Sequence, residues 1–277
     1  MKLSIIVPVK DQLQLVQWCL WSVEQRTDVD FEIIIVDDLS EAKTSNFLKE
    51  FAKDKGNVKY FRNESQMWHT GSCNRGVRES SGEYICLLNS DAIVSDGWAG
   101  KLIKTIESDE MCLCTGPMTS SAASPQQIDK LYDKRFEYKF HQTNDIQKDL
   151  DDGKLNNDFK LVDKDLITKD SSRGKVTGFC MVFSRKMWDK VGELDPEIPS
   201  GGNEADWTIR GLLLGYYPLI SHKVYCHHFG RMSYMHVLTS GQKEKVWVQG
   251  DNTIIRKHGK ANYDVLEKKY WRNLVGL

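Results

Sequence analysis

Residues 83–98 read EYICLLNSDAIVSDGW. The apolar part, YICLL, is a short run of the type that forms a buried strand, and it ends at the small polar residues Asn89, Ser90 and Asp91. In an open α/β sheet, ligands bind just beyond the carboxyl ends of the strands. A carboxylate placed there can hold a divalent cation and, through it, a diphosphate. The tripeptide is also ordinary turn chemistry, so the rest of the chain has to decide between these interpretations.

Apolar runs alternate with helical patterns from the start of the chain. Strands are predicted over 3–9, 31–36, 58–61, 84–88, 111–116, 176–183 and 217–224. Helices are predicted over 12–25, 40–53, 70–79, 98–107, 185–191, 201–214, 240–258 and 262–274. Strands that alternate with helices in this way form βαβ units with right-handed crossovers, which predicts an α/β fold with parallel strands.

Acidic residues follow two of these strands in equivalent positions. Asp37 and Asp38 end the second strand, and Asp91 lies just past the fourth. Carboxyl ends of parallel strands meet at one edge of a sheet, so the sequence predicts a nucleotide pocket in which one carboxylate reads a base or ribose and another holds a metal ion. Helix capping and turn formation are the alternative roles for Asp37 and Asp38.

The composition is that of a soluble globular protein. The 277 residues are 40% hydrophobic and 28% charged, with a net charge of -1, which gives no reason to expect a nucleic acid or an anionic membrane as the partner. The first apolar run is too short for a signal peptide, and no run approaches the ~20 residues that span a bilayer. We therefore expect a cytoplasmic protein. The seven scattered cysteines contain no Cys-x-x-Cys pair, which predicts reduced thiols in the core.

The second half of the chain carries two further polar groups. Asn203, Asp206 and Arg210 share one face of the predicted helix 201–214, and first-turn helix charge is the alternative reading of its acidic residues. The pair His227-His228 follows a predicted strand, with a glycine close behind, which favours a metal or phosphate role beside the structural one.

The chain is expected to divide into two parts. Residues 1–235 would form the main domain, with a nucleotide-binding half over about 1–120 and an acceptor-binding half over about 120–235. A polar excursion over 142–173 would interrupt the second half as a lid or a solvated face. Residues 236–277 would form a C-terminal helical extension.

Motifs throughout the chain resemble, in the same order, those of the family 2 glycosyltransferases of the GT-A fold. They are SIIVPV from Ser4, EIIIVDD from Glu32, NRG from Asn74, GEYICLLNSD from Gly82, GPMTSSAAS from Gly116, TGFCMV from Thr177, VGELD from Val191, NEADW with Arg210 from Asn203, and HHFG from His227. The resemblance covers roughly residues 3–260. It implies a GT-A (Rossmann-like) mixed, mostly parallel central sheet flanked by helices, followed by C-terminal helices.

The resemblance implies a role for each matching residue. Asp37 matches the reader of the nucleobase and Glu204 the catalytic base, while Asp91, with His227 or His228, matches the group that holds Mn²⁺ or Mg²⁺. The further nucleotide- or donor-binding positions are Pro8, Val9, Asp38, Asn74, Asn89, Ser90, Asp206 and Arg210. The implied reaction moves a sugar from a nucleoside diphosphate to an acceptor hydroxyl, with inversion of the anomeric carbon.

Three residues, in two of the motifs, depart from the family pattern. Asn89 stands at the first position of the Asp-x-Asp element, where many members also carry Asn, and it removes one charge near the cation. Glu204 stands where most members have Asp, and Asn203 replaces the acidic residue before it. The assignment of the base is therefore less direct than that of the metal ligand.

The implied partners are a nucleoside-diphosphate sugar, a UDP-sugar first among them, and an acceptor that is a glycan, a lipid-linked glycan, a protein or a modified nucleic acid. A homodimer is left open. Two alternatives to the transferase stand beside it. One is a sugar nucleotidyltransferase, disfavoured because residues 8–11 offer no glycine-rich phosphate loop; the other is a non-catalytic nucleotide-sugar-binding module, for which Asn89 and Asn203 leave room.

Overall fold

The computed structural model describes residues 2–119, 121–122, 124–127, 171–230 and 240–265. The strands are β1 (Leu3–Val9), β2 (Phe31–Asp37), β3 (Val58–Arg62), β4 (Tyr84–Leu88), β5 (Ala92–Val94), β6 (Cys112–Met118), β7 (Ser171–Arg173), β8 (Cys180–Ser184) and β9 (Tyr217–His228). The helices are α1 (Leu13–Arg26), α2 (Ala42–Ala52), α3 (Trp68–Arg78), α4 (Trp98–Glu107), α5 (Arg185–Val191), α6 (Asn203–Leu213), α7 (Ser240–His258) and α8 (Lys260–Val265).

The strands of the N-terminal half are parallel, in the order β3-β2-β1-β4. Their apolar runs are buried on both faces because helices cover the sheet on both sides. The register pairs Val9 with Asp37 and Asp37 with Arg62. The ends of β1, β2 and β3 therefore lie side by side at one edge of the sheet.

The second half adds antiparallel pairings, with the order continuing β4-β8-β6-β9-β5. β8 runs antiparallel to both β4 and β6, whereas β9 runs parallel to β6. β5 and β7 pair with β9 antiparallel. These directions bring the start of β8 and the end of β9 to the edge where β4 ends. The expected mixed sheet flanked by helices is confirmed.

The core lies on both faces of the sheet, as the alternation of side chains along a strand requires. On β1, Ile5 and Val7 join a cluster with α1, α2 and α4. Ile6, from the same strand, joins the opposite cluster with α3, α5 and α6. The seven cysteines are free and buried, so the prediction of reduced core thiols is confirmed.

Most elements lie where the sequence predicted them, within a few residues, but two predictions of strand bounds were wrong. The last strand was expected to end at residue 224, yet β9 continues to His228, because β5 pairs with its final residues. The strand expected over 176–183 begins only at Cys180, and residues 178 and 179 before it form a turn. β5 and β7 were not predicted.

The C-terminal helices α7 and α8 follow at residues 240–265. Lys257 contacts Asp195 and Glu197, and His258 Nε2 lies 2.6 Å from Asp206 Oδ1, so α7 is held against α6 and the loop before it. Within the described residues, no helix combines the length and apolarity needed to cross a bilayer. Residues 142–170 of the predicted excursion and the end of the last predicted helix lie outside the described residues.

Candidate active site

Asp91 lies on the turn that joins β4 to β5. The turn is closed by a hydrogen bond from Ala92 N to Asn89 O (3.2 Å), and Asn89 N donates to Phe179 O (2.7 Å). Phe229 N donates to Asp91 O (3.1 Å), which ties the turn to the end of β9. The Asp91 side chain is only 1% exposed. Ser90 Oγ is also buried and has no hydrogen-bond partner among the described residues.

His228 faces Asp91. Its neighbour in the register is Ala92, and its Nε2 lies 3.5 Å from Asp91 Oδ1. The other ring nitrogen, Nδ1, lies 2.9 Å from Ser121 O and therefore donates its hydrogen there. Phe179 stacks on the ring with centroids 4.6 Å apart. The imidazole is thus fixed in orientation and in tautomer, as a metal-binding histidine usually is.

The pair fits a divalent cation. In the neutral ring, the lone pair of His228 Nε2 faces the lone pairs of a carboxylate, an arrangement that a shared cation or a proton relieves. Two ligands about 2.2 Å from a metal and at a right angle are about 3.1 Å apart, close to the separation observed. Burial lowers the pKa of His228, but the charge of Asp91, the contact with its carboxylate and the bond to Ser121 O together outweigh burial, and the net shift is upward.

Among the described residues, no group of three His, Cys, Asp or Glu side chains could hold a metal ion. A Mg²⁺-type site commonly has one or two protein ligands and takes the rest from substrate phosphates and water. A two-residue set is therefore compatible with a cation that arrives with a diphosphate.

His227 lies on the opposite side of β9 from His228, because successive side chains of a strand alternate. Its ring packs edge-on against Phe229, with centroids 4.4 Å apart. Burial, together with the neighbouring His228, lowers the pKa of His227 to about 3, so this imidazole is neutral at physiological pH. The two histidines predicted as alternative metal ligands thus have different surroundings.

Glu204 stands in the first turn of α6. Gly201 and Gly202 precede it with φ values of +74° and +91°, a conformation that favours glycine. Asn203 Oδ1 accepts a hydrogen bond from Glu204 N (2.8 Å). The Glu204 carboxylate lies 4.0 Å from the Nζ of the buried Lys175. A cation and a helix N-terminus thus both lie beside the carboxylate that was predicted to be the base.

The segment Gly178-Phe179 contacts both sides of the site, the turn that carries Asp91 and the helix that carries Glu204. A Cβ atom on Gly178 would lie 3.5 Å from Glu204 Cβ, and Phe179 bonds to Asn89 and stacks on His228. His69 also contacts both sides, through Asn89 and Asn203. The predicted metal ligand and the predicted base are therefore brought together.

Asp37 and Asp38 lie at the same edge of the sheet and are fully buried. Asp37 accepts hydrogen bonds from Ser40 N (2.7 Å) and Tyr60 Oη (2.7 Å), and it pairs with Arg62. Burial raises the pKa of Asp37, but these bonds outweigh it and the net shift is downward. Asp38 accepts from the backbone N–H groups of residues 67 and 68 and so positions the start of α3. On β1, Pro8 and Val9 lie beside Val36 and Asp37 of β2.

Three residues predicted to bind the donor have side chains engaged within the protein. Asn74 exchanges two hydrogen bonds with the backbone of Leu194, at 2.8 and 3.0 Å. Asp206 accepts from Arg210 Nε (2.9 Å) and contacts His258, and Arg210 also donates to two backbone carbonyls before α6. Asn74 ties α3 to the loop before α6, whereas Asp206 and Arg210 hold α6 to its neighbours. A role for these three side chains in donor binding stays a prediction.

Sequence reasoning missed three residues of the site, His69, Lys175 and Phe179. A single histidine or lysine carries no periodic pattern, and the partners of His69 are 20 and 134 positions away. Phe179 was included in a strand, although it precedes β8.

An open α/β sheet with acidic groups at the carboxyl ends of its strands is the architecture of nucleotide-binding enzymes. Residues 4–169 match the sequence model described as glycosyl transferase family 2. The chain belongs to this family, and the predicted resemblance is confirmed.

Curated relatives match over part of their length. A GalNAc(5)-diNAcBac-PP-undecaprenol beta-1,3-glucosyltransferase of Campylobacter jejuni is 31% identical over 104 residues, which are 37% of this chain and 34% of the relative. Glycosyltransferase AglE of Haloferax volcanii is 25% identical over 115 residues, 41% of this chain and 38% of the relative. The chain thus matches little more than a third of the length of these relatives.

Solved structures share the fold over most of this chain. GalNAc-T7 with UDP, GalNAc and Mn²⁺ has a TM-score of 0.64 at 16% identity and covers 96% of this chain and 50% of its own. A Pyrobaculum calidifontis mannosyltransferase in complex with GDP-Man and Mn²⁺ has a TM-score of 0.62 at 14% identity, and the match covers 96% of this chain and 70% of that chain. S. aureus TarS in complex with UDP-GlcNAc has a TM-score of 0.63 at 11% identity, and the match covers 96% of this chain and 70% of that chain. These proteins are GT-A glycosyltransferases, which confirms the predicted fold class.

Proposed function

We propose that this protein transfers a sugar from a nucleoside diphosphate sugar to an acceptor hydroxyl, with inversion at the anomeric carbon. Asp91 and His228 hold Mn²⁺ or Mg²⁺, and Glu204 is the general base. One observation carries the proposal. Asp91 and His228 are paired at 3.5 Å on one side of the segment Gly178-Phe179, and Glu204 lies on the other side of that segment.

The protein groups have distinct tasks in this reaction. A bound divalent cation would neutralise charge that develops on the leaving diphosphate. Asp91 and His228 orient the donor by fixing the position of its diphosphate. Glu204 accepts the proton of the acceptor hydroxyl as the oxygen attacks the anomeric carbon, and a single displacement from the opposite side inverts that carbon. Lys175, whose Nζ lies 4.0 Å from the Glu204 carboxylate, helps to position this carboxylate.

Donor and acceptor identity are the finer part of the proposal. We propose a UDP-sugar, because two of the solved structures of the same fold hold UDP or UDP-GlcNAc, although a third holds GDP-Man. Among glycan, lipid-linked glycan, protein and modified nucleic acid acceptors, the lipid-linked glycan comes first, because one relative is named for an undecaprenol-linked glycan. The division at residue 235, the nucleotide-binding and acceptor-binding halves, a cytoplasmic location and a homodimer also stay proposals.

The experiment incubates the protein with UDP-, GDP- and dTDP-sugars, with and without Mn²⁺, and measures both the melting temperature and the products. A bound donor raises the melting temperature of the folded state. With a lipid-linked glycan added as the acceptor, a transferase releases the nucleoside diphosphate from the sugar nucleotide. A nucleotidyltransferase releases pyrophosphate only from a nucleoside triphosphate and a sugar 1-phosphate, which are tested in a parallel reaction, and a binding module releases neither product. NMR of the product would identify the configuration of the new linkage, and retained configuration would contradict the single displacement.

A further inference from the structure

His69 joins the turn that carries Asp91 to the helix that carries Glu204. Its Nε2 lies 3.1 Å from Asn89 Oδ1, two residues before Asp91. Its Nδ1 lies 3.1 Å from Asn203 Nδ2, one residue before Glu204. The ring is half-buried in the first turn of α3, so a single imidazole connects three segments that are far apart in the sequence.

The bonds of Asn203 fix the hydrogens in this chain of contacts. Asn203 Oδ1 accepts from Glu204 N at 2.8 Å, so its Nδ2 is the donor group. One Nδ2 hydrogen goes to Thr70 Oγ1 at 2.8 Å, which leaves the other for His69 Nδ1. A neutral imidazole that accepts at Nδ1 carries its hydrogen on Nε2, and that hydrogen is donated to Asn89 Oδ1.

The surroundings keep this ring uncharged. Burial lowers the pKa of His69 and outweighs the opposite effects of the bond to Asn89 and of the Glu204 and Asp91 charges. A neutral ring offers one donor and one acceptor, and two amides satisfy both. A carboxylate at position 203 could not donate to Nδ1 and would require a second proton on the ring. Two of the residues that depart from the family pattern, Asn89 and Asn203, thus have one common partner.

We propose that His69 is a positioning residue that sets the distance between the cation-binding turn and the general base, and that Asn89 and Asn203 are amides because they bind its neutral ring. This inference rests on the proposed function, since it assigns the two sides of the site their roles in transfer. In this role His69 acts through Asn89 and Asn203.

Two substitutions separate the hydrogen bonds of His69 from its volume. His69→Gln keeps one N–H and one carbonyl at the end of the side chain, whereas His69→Leu fills the space and can form neither bond. In steady-state assays with the UDP-sugar that the wild-type protein uses, His69→Leu should lower kcat by ~10- to 100-fold, because small displacements of catalytic groups have effects of this size. The KM for the donor should change much less, and His69→Gln should restore most of kcat.

Hydrogen exchange tests whether His69 links the two segments, and it does not depend on an assay of enzyme activity. Peptides covering residues 88–92 and 202–207 should exchange faster in His69→Leu and at the wild-type rate in His69→Gln. His222→Leu, which removes a buried imidazole bonded to Ser172, is the control and should leave both peptides unchanged. Equal exchange in His69→Leu and the wild type, or an unchanged kcat in His69→Leu, would overturn the proposal. If the wild-type protein releases no nucleoside diphosphate from any sugar nucleotide, the proposed function fails, and the exchange rates still decide whether His69 links the two segments.

Discussion

Asp91 Oδ1 and His228 Nε2 lie 3.5 Å apart because β5 and β9 pair antiparallel, with Ala92 opposite His228. The same pairing places His227 on the other side of β9. The metal-binding role, which the sequence left open between the two histidines, can therefore be tested on the pair.

Removal of His228 should weaken Mn²⁺-dependent UDP binding, whereas removal of His227 should not. We expect Asp91→Ala to abolish this binding and His228→Ala to weaken it by at least ~10-fold, because each removes one of two protein ligands. Isothermal titration of UDP with and without Mn²⁺ measures the effect. His227→Gln is the matched control, with melting temperatures recorded for all variants. Equal weakening by His227→Gln and His228→Ala would contradict the assignment.

Loss of the carboxylate of Glu204 should affect transfer and leave binding largely intact. Glu204→Gln retains the size and the first helical turn but cannot accept a proton, so kcat should fall at least ~100-fold. UDP binding in the presence of Mn²⁺ should be unchanged within experimental scatter. Glu193→Gln, at a carboxylate that pairs with Arg78 away from the site, should leave kcat unaltered. Donor binding that disappears together with activity would argue against the role of base.

The sequence was sufficient for the parallel half of the fold, because strands buried on both faces appear as apolar runs such as 31–36. It was insufficient for β5 and β7, since three residues are too few to show a period and both depend on pairing with β9. His227 and His228 looked like a loop because polar residues follow an apolar run. Only the pairing with β5 shows that they continue the strand.

For the site, the resemblance named positions at the ends of strands and near the start of a helix, but it did not indicate the bonds of each side chain. Asn74 and Arg210 matched family positions, yet their side chains bind backbone carbonyls within this protein. His69 matched nothing, although it contacts both sides of the site. Long-range side-chain partners have no local signature in a single sequence, and so they could not be inferred from it.

Gly76 should tolerate no side chain, because α3 packs directly on β1 at this point. A Cβ atom there would lie 2.2 Å from Ile6 Cγ2, well inside van der Waals contact. Gly76→Ala should therefore destabilise the protein by about 1–3 kcal/mol, the usual cost of overpacking, despite the better helix propensity of alanine. Gly56→Ala is the control, since nothing lies within 4 Å of its Cβ position. Urea unfolding of both variants gives the free energies, and equal stability would contradict the close contact of α3 with β1.

Glu32 should make the stability of the fold depend on pH in acid. Its carboxylate on β2 is 2% exposed, accepts hydrogen bonds from Ser4 Oγ, Ser81 N and Ser81 Oγ, and lies 2.9 Å from Lys59 Nζ. Burial alone would raise the pKa of Glu32, but these partners outweigh it and lower the pKa from 4.5 to about 2. The unfolded chain thus binds a proton at a higher pH than the folded one.

The sign follows from this difference in proton binding. The contribution of Glu32 is fully present above pH 4.5 and is lost as the pH falls through about 2. A difference of this size corresponds to about 3 kcal/mol. Glu32→Gln should therefore lower the free energy of unfolding by up to that amount at pH 7, and the gap in this free energy between variant and wild type should narrow as the pH falls below 4.5.

Urea unfolding at several pH values measures the gap. Glu50→Gln makes the same charge change at an exposed carboxylate and should have little effect. A gap of the same size at pH 7 and pH 3 would mean that the lost stability comes from packing, because a loss of packing does not depend on the ionisation of Glu32.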